Sequence, residues 1–138
     1  ILYSSRVHQC GVAALELQKI KHNHYRIATG GDDQALSVGE LMIGTSKEVE
    51  YKPIITKDVH ASTINGLYFL RSYLVSCSID QRIRVWRVTD DNELVNVSVG
   101  ITDIADVSGI VGWNVGKENF ITVAGQGYQM FQINEEST

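Results

Sequence analysis

The sequence predicts an all-β fold built from about three copies of one unit. Each copy opens with a polar head, a small residue, a β-branched residue and a bulky apolar end. Each copy closes with a glutamine and a run of strand-forming residues. The heads are His8, His60 and Asp106, and the closing glutamines are Gln34, Gln81 and Gln126. These positions recur every ~45–52 residues, close to the ~40–45 residues of a four-stranded propeller blade. We therefore expect about three consecutive blades of a β-propeller.

Alternating and apolar runs predict the strands of each unit. The expected strands span 12–17, 26–29, 36–41 and 54–59, then 64–70, 73–77, 82–88 and 94–99, then 110–115, 120–123 and 128–133. The blades are expected at 1–59, with the tail of a preceding blade at 1–6, at 60–105, and at 106–138, where the last blade lacks its outer strand. Because a propeller typically needs 4–8 blades to close, the chain is expected to be part of a larger propeller protein.

The second unit resembles the WD-repeat family through four residues, His60, Ser76, Asp80 and Trp86. The resemblance implies that these side chains form a buried hydrogen-bonded relay across the blade, with Ser76 expected in it rather than Ser78. A buried carboxylate at a turn is tolerated only when it is paired and its lone pairs are filled, which supports this expectation.

The first unit departs from this pattern in two ways. It keeps His8, Thr29 and Asp33, which are expected to form a second relay, but Gly39 stands where the tryptophan belongs. It also carries an insertion of about five residues at 19–24, which we expect to be a solvated loop.

The third unit departs further. It has Asp106, Thr122, Gly125 and Phe131 in place of the four residues of the relay. No relay is expected there, and an alanine should be tolerated at Gly125.

Composition limits the class of protein. The chain is 43% hydrophobic, which favours a packed domain. Its net charge is −4, which argues against this piece binding nucleic acid by itself. No apolar run approaches the roughly 18 residues of a membrane span, so no membrane partner is expected. No secretory leader pattern is visible, and a cytoplasmic location is expected. Cys10 and Cys77 are expected to be reduced core residues.

Candidate catalytic and ligand sites are weak. His22, His24 and His8 lack a carboxylate or thiolate partner at metal-ligand spacing. Ser76, His60 and Asp80 form a trio of hydrolase type, but the WD-repeat pattern gives the same residues a structural role. The glycines at 30–31 lie between strands, not before a helix, and so do not form a phosphate loop. We expect no catalytic, cofactor or metal site.

A closer resemblance is carried by three stretches, 8–15, 28–36 and 74–82. They look like the carboxy-terminal blades of the WD-repeat partner subunits of the methyltransferase that adds a 2′-O-methyl group at the tRNA wobble nucleotide. That resemblance implies a non-catalytic scaffold whose partners are the methyltransferase catalytic subunit, tRNA through the complex, and the remainder of the same propeller protein. The alternatives are a general protein-interaction scaffold, for example in membrane trafficking, and remotely a propeller hydrolase.

The resemblance also implies where a partner docks. WD-repeat proteins commonly bind ligands on the rim formed by the loop before the first strand and the turn between the second and third strands. Asn65, Asp32 and Ile79 occupy these places and are the expected partner-binding residues.

Overall fold

The computed structural model describes residues 1–134, and every regular element in that range is a β-strand. The strands are β1 Val12–Lys21, β2 His24–Gly31, β3 Leu36–Ile43, β4 Val49–Thr56, β5 Ile64–Leu70, β6 Tyr73–Ser78, β7 Arg82–Val88, β8 Leu94–Ile101, β9 Gly109–Val115, β10 Glu118–Gly125 and β11 Gly127–Ile133. They form three antiparallel sheets in the orders β1–β2–β3–β4, β5–β6–β7–β8 and β9–β10–β11. The predicted all-β fold of about three blades is confirmed.

The sheets are stacked with their first strands side by side, since β1 lies against β5 and β5 against β9. Buried apolar residues fill both gaps between sheets. The first gap holds Ala28, Leu36, Val38, Val59, Ile64, Leu67, Leu74 and Trp86. The second holds Leu70, Val75, Cys77, Ile83, Val85, Val107, Ile121 and Val123. Two separate cores therefore join three sheets in the manner of successive propeller blades.

Two of the closing glutamines, Gln34 and Gln81, tie their sheet to the loop that leads into the next sheet. Gln34 donates its side-chain amide to the Ala61 carbonyl at 3.3 Å, and Gln81 donates to the Thr102 carbonyl at 3.3 Å. Both glutamines have positive φ, 65° and 60°, at equivalent turn positions. The repeated glutamine thus marks a repeated contact between sheets.

The insertion at 19–24 is not a loop. Both strands of the first hairpin continue through it, so that Lys19 pairs with Tyr25 and Lys21 with His24, and the turn lies at His22 and Asn23. Asn23 has φ 56°, a conformation that asparagine tolerates in tight hairpin turns. The expectation of a solvated loop was wrong because the inserted residues extend both strands of the hairpin. A register shift between Lys19 and Lys21 accommodates the one residue that has no partner on the opposite strand.

One further expectation about the first unit was wrong. Its outer strand lies at Val49–Thr56 instead of 54–59, because Asp58 adopts φ 54° and Val59 turns into the core to bond the Gln34 carbonyl. Residues 1–6, which we expect to be the tail of a preceding blade, come before β1, and no strand lies within residues 1–11. Tyr3 instead rests edge-on against Tyr51, with ring centroids 6.3 Å apart.

Candidate functional site

The second sheet holds a complete hydrogen-bonded relay. His60, in the loop before β5, is buried; its Nδ1 lies 3.0 Å from Asp80 Oδ2 and its Nε2 lies 2.8 Å from Ser76 Oγ. Trp86 Nε1 donates to the same Ser76 oxygen at 2.9 Å. Because the carboxylate only accepts and the indole only donates, His60 Nδ1 carries the proton and Ser76 donates to Nε2. The structure brings all four sequence-predicted residues together, and Ser76 rather than Ser78 contacts the histidine.

The Asp80 carboxylate is held by three donors. Besides His60, the backbone amides of Ala61 and Arg82 donate to it, each at 2.9 Å. Burial alone raises the pKa of Asp80, but the Ala61 and Arg82 amides and the His60 ring together lower it below its ordinary value. Burial lowers the pKa of His60, against the opposing effect of Asp80. The relay is therefore a neutral imidazole on an ionised carboxylate.

The first sheet carries a shorter relay of the same kind. His8 Nδ1 donates to Asp33 Oδ1 at 2.9 Å, and His8 Nε2 lies 2.7 Å from Thr29 Oγ1. The Thr29 hydroxyl in turn lies 2.6 Å from Ser37 Oγ on β3. Burial raises the pKa of Asp33, but the Gln9 amide and His8 outweigh it, so that the pKa is lowered. A serine hydroxyl thus takes the place that an indole N–H fills in the second sheet.

Gly39 explains why no tryptophan completes this relay. It pairs with Pro53 on β4, and a Cβ atom at Gly39 would lie only 2.6 Å from the Pro53 Cα. Real side chains do not approach backbone so closely, so any larger residue would push β4 away. The exchange of tryptophan for glycine is therefore coupled to the close approach of the fourth strand.

The third sheet has a different arrangement at the equivalent turn. Gln126 donates its side-chain amide to Asp106 Oδ2 at 2.5 Å, and its backbone amide bonds the Ala105 carbonyl. A Cβ atom on Gly125 would lie 2.5 Å from the carbonyl oxygens of both Ala105 and Asp106. The expectation that Gly125 tolerates alanine was therefore wrong, because the loop before β9 closes directly over this glycine.

The three predicted partner-binding residues differ in accessibility. Ile79 is 43% exposed in the β6–β7 turn, and Asp32 is exposed at the equivalent place in the β2–β3 turn. Asn65 is half-buried and donates its amide to the Val107 carbonyl at 2.8 Å. Asn65 therefore links the second and third sheets, while Asp32 and Ile79 present their side chains to solvent.

The remaining reactive groups are limited. Cys77 is buried, and burial raises the pKa of its thiol to about 12, whereas Cys10 is exposed and so is not the core residue expected. Within residues 1–134, no group of three potential metal ligands comes together. No helix long and apolar enough to cross a membrane occurs in that same range.

Sequence reasoning missed contacts that join one sheet to another. Arg26 on β2 donates to the Asn92 side chain in the β7–β8 turn at 3.0 Å, and Thr102 donates to Gln129 Oε1 at 2.7 Å. Such pairs depend on the angle between sheets, which no local pattern encodes. Only the glutamine tethers had a signal in the sequence, namely their repetition.

The curated proteins to which the chain is similar share one name. The chain is 28% identical over 142 aligned positions to the rat protein named tRNA (34-2′-O)-methyltransferase regulator WDR6, covering 91% of this chain and 12% of that protein. The human protein of the same name is 26% identical, with 91% and 13% covered. The chain thus spans about an eighth of the length of the curated relatives it matches.

No family model matches the chain. The crystal structure of the computationally designed Ika4 protein aligns with 97% of this chain and 98% of its own, at a TM-score of 0.44 and 16% identity. The curated relatives and the three-sheet fold both support the resemblance that the sequence predicts. It is confirmed: the chain consists of WD-repeat-like blades and is similar to tRNA (34-2′-O)-methyltransferase regulators.

Proposed function

We propose that the chain contributes blades to a non-catalytic scaffold that holds a tRNA 2′-O-methyltransferase and positions it at the wobble nucleotide of the anticodon. The observation that carries this proposal is the similarity over 91% of the chain to proteins named as regulators of the methyltransferase acting at position 34. The partners would be the methyltransferase catalytic subunit and, through the complex, tRNA. The complex would work in the cytoplasm.

The mechanism would be positional. A rigid surface that holds the enzyme near one nucleotide raises the effective concentration of the reacting groups and restricts their orientation. The two relays support such rigidity, since each ties a loop histidine to the second strand of its sheet and to the turn that follows it. No new chemistry is required of the scaffold.

The hydrolase alternative fits the geometry poorly. Ser76 is fully buried, and its oxygen already accepts from Trp86 while its proton is directed to His60. A nucleophile needs an open approach for the substrate carbonyl and donors for the developing oxyanion.

Further blades of the same propeller protein are proposed as covering partners. The outward face of the first sheet exposes Leu15 and Leu17, at 61% and 50%. The outward face of the third exposes Val111, Tyr128 and Met130, at 59%, 79% and 61%. Such apolar faces are unusual on the surface of a soluble protein. They are apolar like the faces that form the two cores between neighbouring sheets, so further blades could cover them in the same way.

A general protein-interaction scaffold is the second candidate. The exposed Ile79 supports it, because a β-branched apolar side chain at a turn suits a peptide-binding rim. The two functions predict different companions. Affinity purification of the full-length protein should recover a small methyltransferase together with tRNA; recovery of peptide-motif proteins without RNA would favour the second candidate and contradict the first.

A further inference from the structure

The relay of the first sheet ends in a group that can accept a further hydrogen bond. In the second sheet the relay ends at the indole N–H of Trp86, which only donates. In the first sheet it ends at the hydroxyl of Ser37, which both donates and accepts, while Gly39 stands at the place of the tryptophan. The inner end of the first relay therefore has an acceptor that the second relay lacks.

The direction of the protons in the first relay leaves this acceptor free. The Asp33 carboxylate only accepts, so His8 donates from Nδ1 and accepts at Nε2. Thr29 then donates to His8, and its oxygen accepts the proton of Ser37. Ser37 is fully buried, and its lone pairs can accept from a neighbouring donor.

Tyr51 on β4 carries a buried donor beside Ser37. Its ring is half-buried, but its phenol oxygen is buried and has no partner at hydrogen-bond geometry within residues 1–134. Burial raises the pKa of Tyr51, and a side-chain interaction with the Ser37 hydroxyl partly offsets that rise. Leaving a buried hydroxyl unpaired costs free energy, so a donor and an acceptor that lie together should pair.

Gly39 makes room for this approach. It lies between Ser37 and Leu41 on the same face of β3, and Tyr51 pairs with Leu41 across the two strands. The Tyr51 ring therefore has to cross the place of residue 39 to reach Ser37. A glycine leaves that path open, whereas a tryptophan would fill it. The loss of the tryptophan and the approach of a tyrosine from the next strand thus belong to one arrangement.

We infer that the Tyr51 phenol donates to Ser37, so that these two residues together take the role of the Trp86 indole. The relay of the first sheet then runs from the fourth strand to the carboxylate at the β2–β3 turn. It has one more link than the relay of the second sheet. This inference goes beyond the proposed function and holds for any partner of the rim.

Tyr51 thereby positions part of the rim. The Asp33 carboxylate at the end of the relay accepts from the Gln9 amide at 3.0 Å, and the Asp32 amide donates to the Gly11 carbonyl at 3.0 Å. The loop before β1 is thus held by the turn in which the relay ends. Because Asp32 is one of the predicted partner-binding residues, Tyr51 is a positioning residue for the rim of the first sheet.

Hydrogen exchange at two equivalent amides tests this inference. The Gln9 amide donates to the carboxylate that ends the first relay, and the Ala61 amide donates at 2.9 Å to the carboxylate that ends the second. In the full-length protein, Tyr51→Phe should speed exchange at Gln9 by about three- to tenfold and leave Ala61 unchanged, because one hydrogen bond of the first relay is lost. Trp86→Phe should speed exchange more at Ala61 than at Gln9.

Two further variants separate the proposed bond from general loosening. Tyr3→Phe removes a hydroxyl from the exposed ring that packs against Tyr51 and should leave both amides unchanged. Ser37→Ala should speed exchange at Gln9 at least as much as Tyr51→Phe, and the double variant should match Ser37→Ala alone, since both groups act through one bond. Unchanged exchange at Gln9 in Tyr51→Phe, equal acceleration at both amides, or additive effects in the double variant would overturn the inference.

Discussion

The indole of Trp86 on β7 donates to the hydroxyl of Ser76 on β6, 2.9 Å away. This bond fixes the direction of the whole relay, because a serine oxygen that accepts from the indole directs its own proton to His60 Nε2. The histidine must then donate from Nδ1 to the Asp80 carboxylate. Four residues from the loop, two strands and a turn are thereby locked into one arrangement.

Removing the carboxylate should be costly. Asp80→Ala leaves the amides of Ala61 and Arg82 and the ring of His60 without an acceptor, and we expect it to reduce the free energy of unfolding by about 2–4 kcal/mol. Urea denaturation of the full-length protein measures the loss. Asp32→Ala removes an exposed carboxylate from the equivalent turn of the first sheet and should cost less than about 0.5 kcal/mol. Equal losses would remove the assigned role of the relay.

Stability should fall with acidity in two stages. The pKa of His60 is lowered from its ordinary 6.5 in the folded protein, so its contribution is complete above pH 6.5 and is lost as the pH falls through the folded pKa. The pKa of Asp80 is lowered from its ordinary 3.8, so a second loss follows below pH 3.8. Melting temperatures measured from pH 7.5 to 5 should decline more steeply for the wild type than for His60→Gln. Parallel declines would contradict the buried neutral imidazole.

Replacing two glycines of the third sheet by alanine should have different effects on stability. At Gly125 the new Cβ atom would lie 2.5 Å from two carbonyl oxygens, so the loop before β9 must shift, and we expect a loss of about 1–3 kcal/mol. At Gly109 no atom lies within 4 Å of the new Cβ, and the change should be within about 0.5 kcal/mol. Chemical denaturation of the two variants side by side tests this, and a neutral Gly125→Ala would show that the loop yields freely.

The second relay could be predicted from the sequence, whereas the contacts between sheets and the surroundings of Gly125 could not. The four residues of the second relay could be predicted because His60, Ser76, Asp80 and Trp86 match the WD-repeat pattern, which implies that their side chains meet. Gly125 could not, because its environment depends on a loop folding over the turn. Likewise, the hydrogen bond from the Arg71 side chain to the Gly116 carbonyl depends on the angle between neighbouring sheets. Hydrophobic periodicity does not predict that angle.

The rim can be tested with a charge. Ile79→Asp adds a carboxylate to a side chain that is 43% exposed, so the melting temperature should stay nearly unchanged. If the rim contacts the methyltransferase, the affinity should fall by at least about 1 kcal/mol, or roughly fivefold, because the new charge is desolvated at the interface. Ile101→Asp, at a 67% exposed isoleucine on the outer strand β8, is the matched control. Unchanged binding for Ile79→Asp would reject the rim.

Mapping 2′-O-methylation across cellular tRNAs after deletion of the gene tests the central claim most directly. The account predicts that the modification is lost or strongly reduced at nucleotide 34 of a subset of tRNAs, while 2′-O-methyl groups at other positions persist. Re-expression of the full-length protein should restore it, because the scaffold supplies position and not the chemistry. An unchanged pattern at nucleotide 34 would contradict the proposed function.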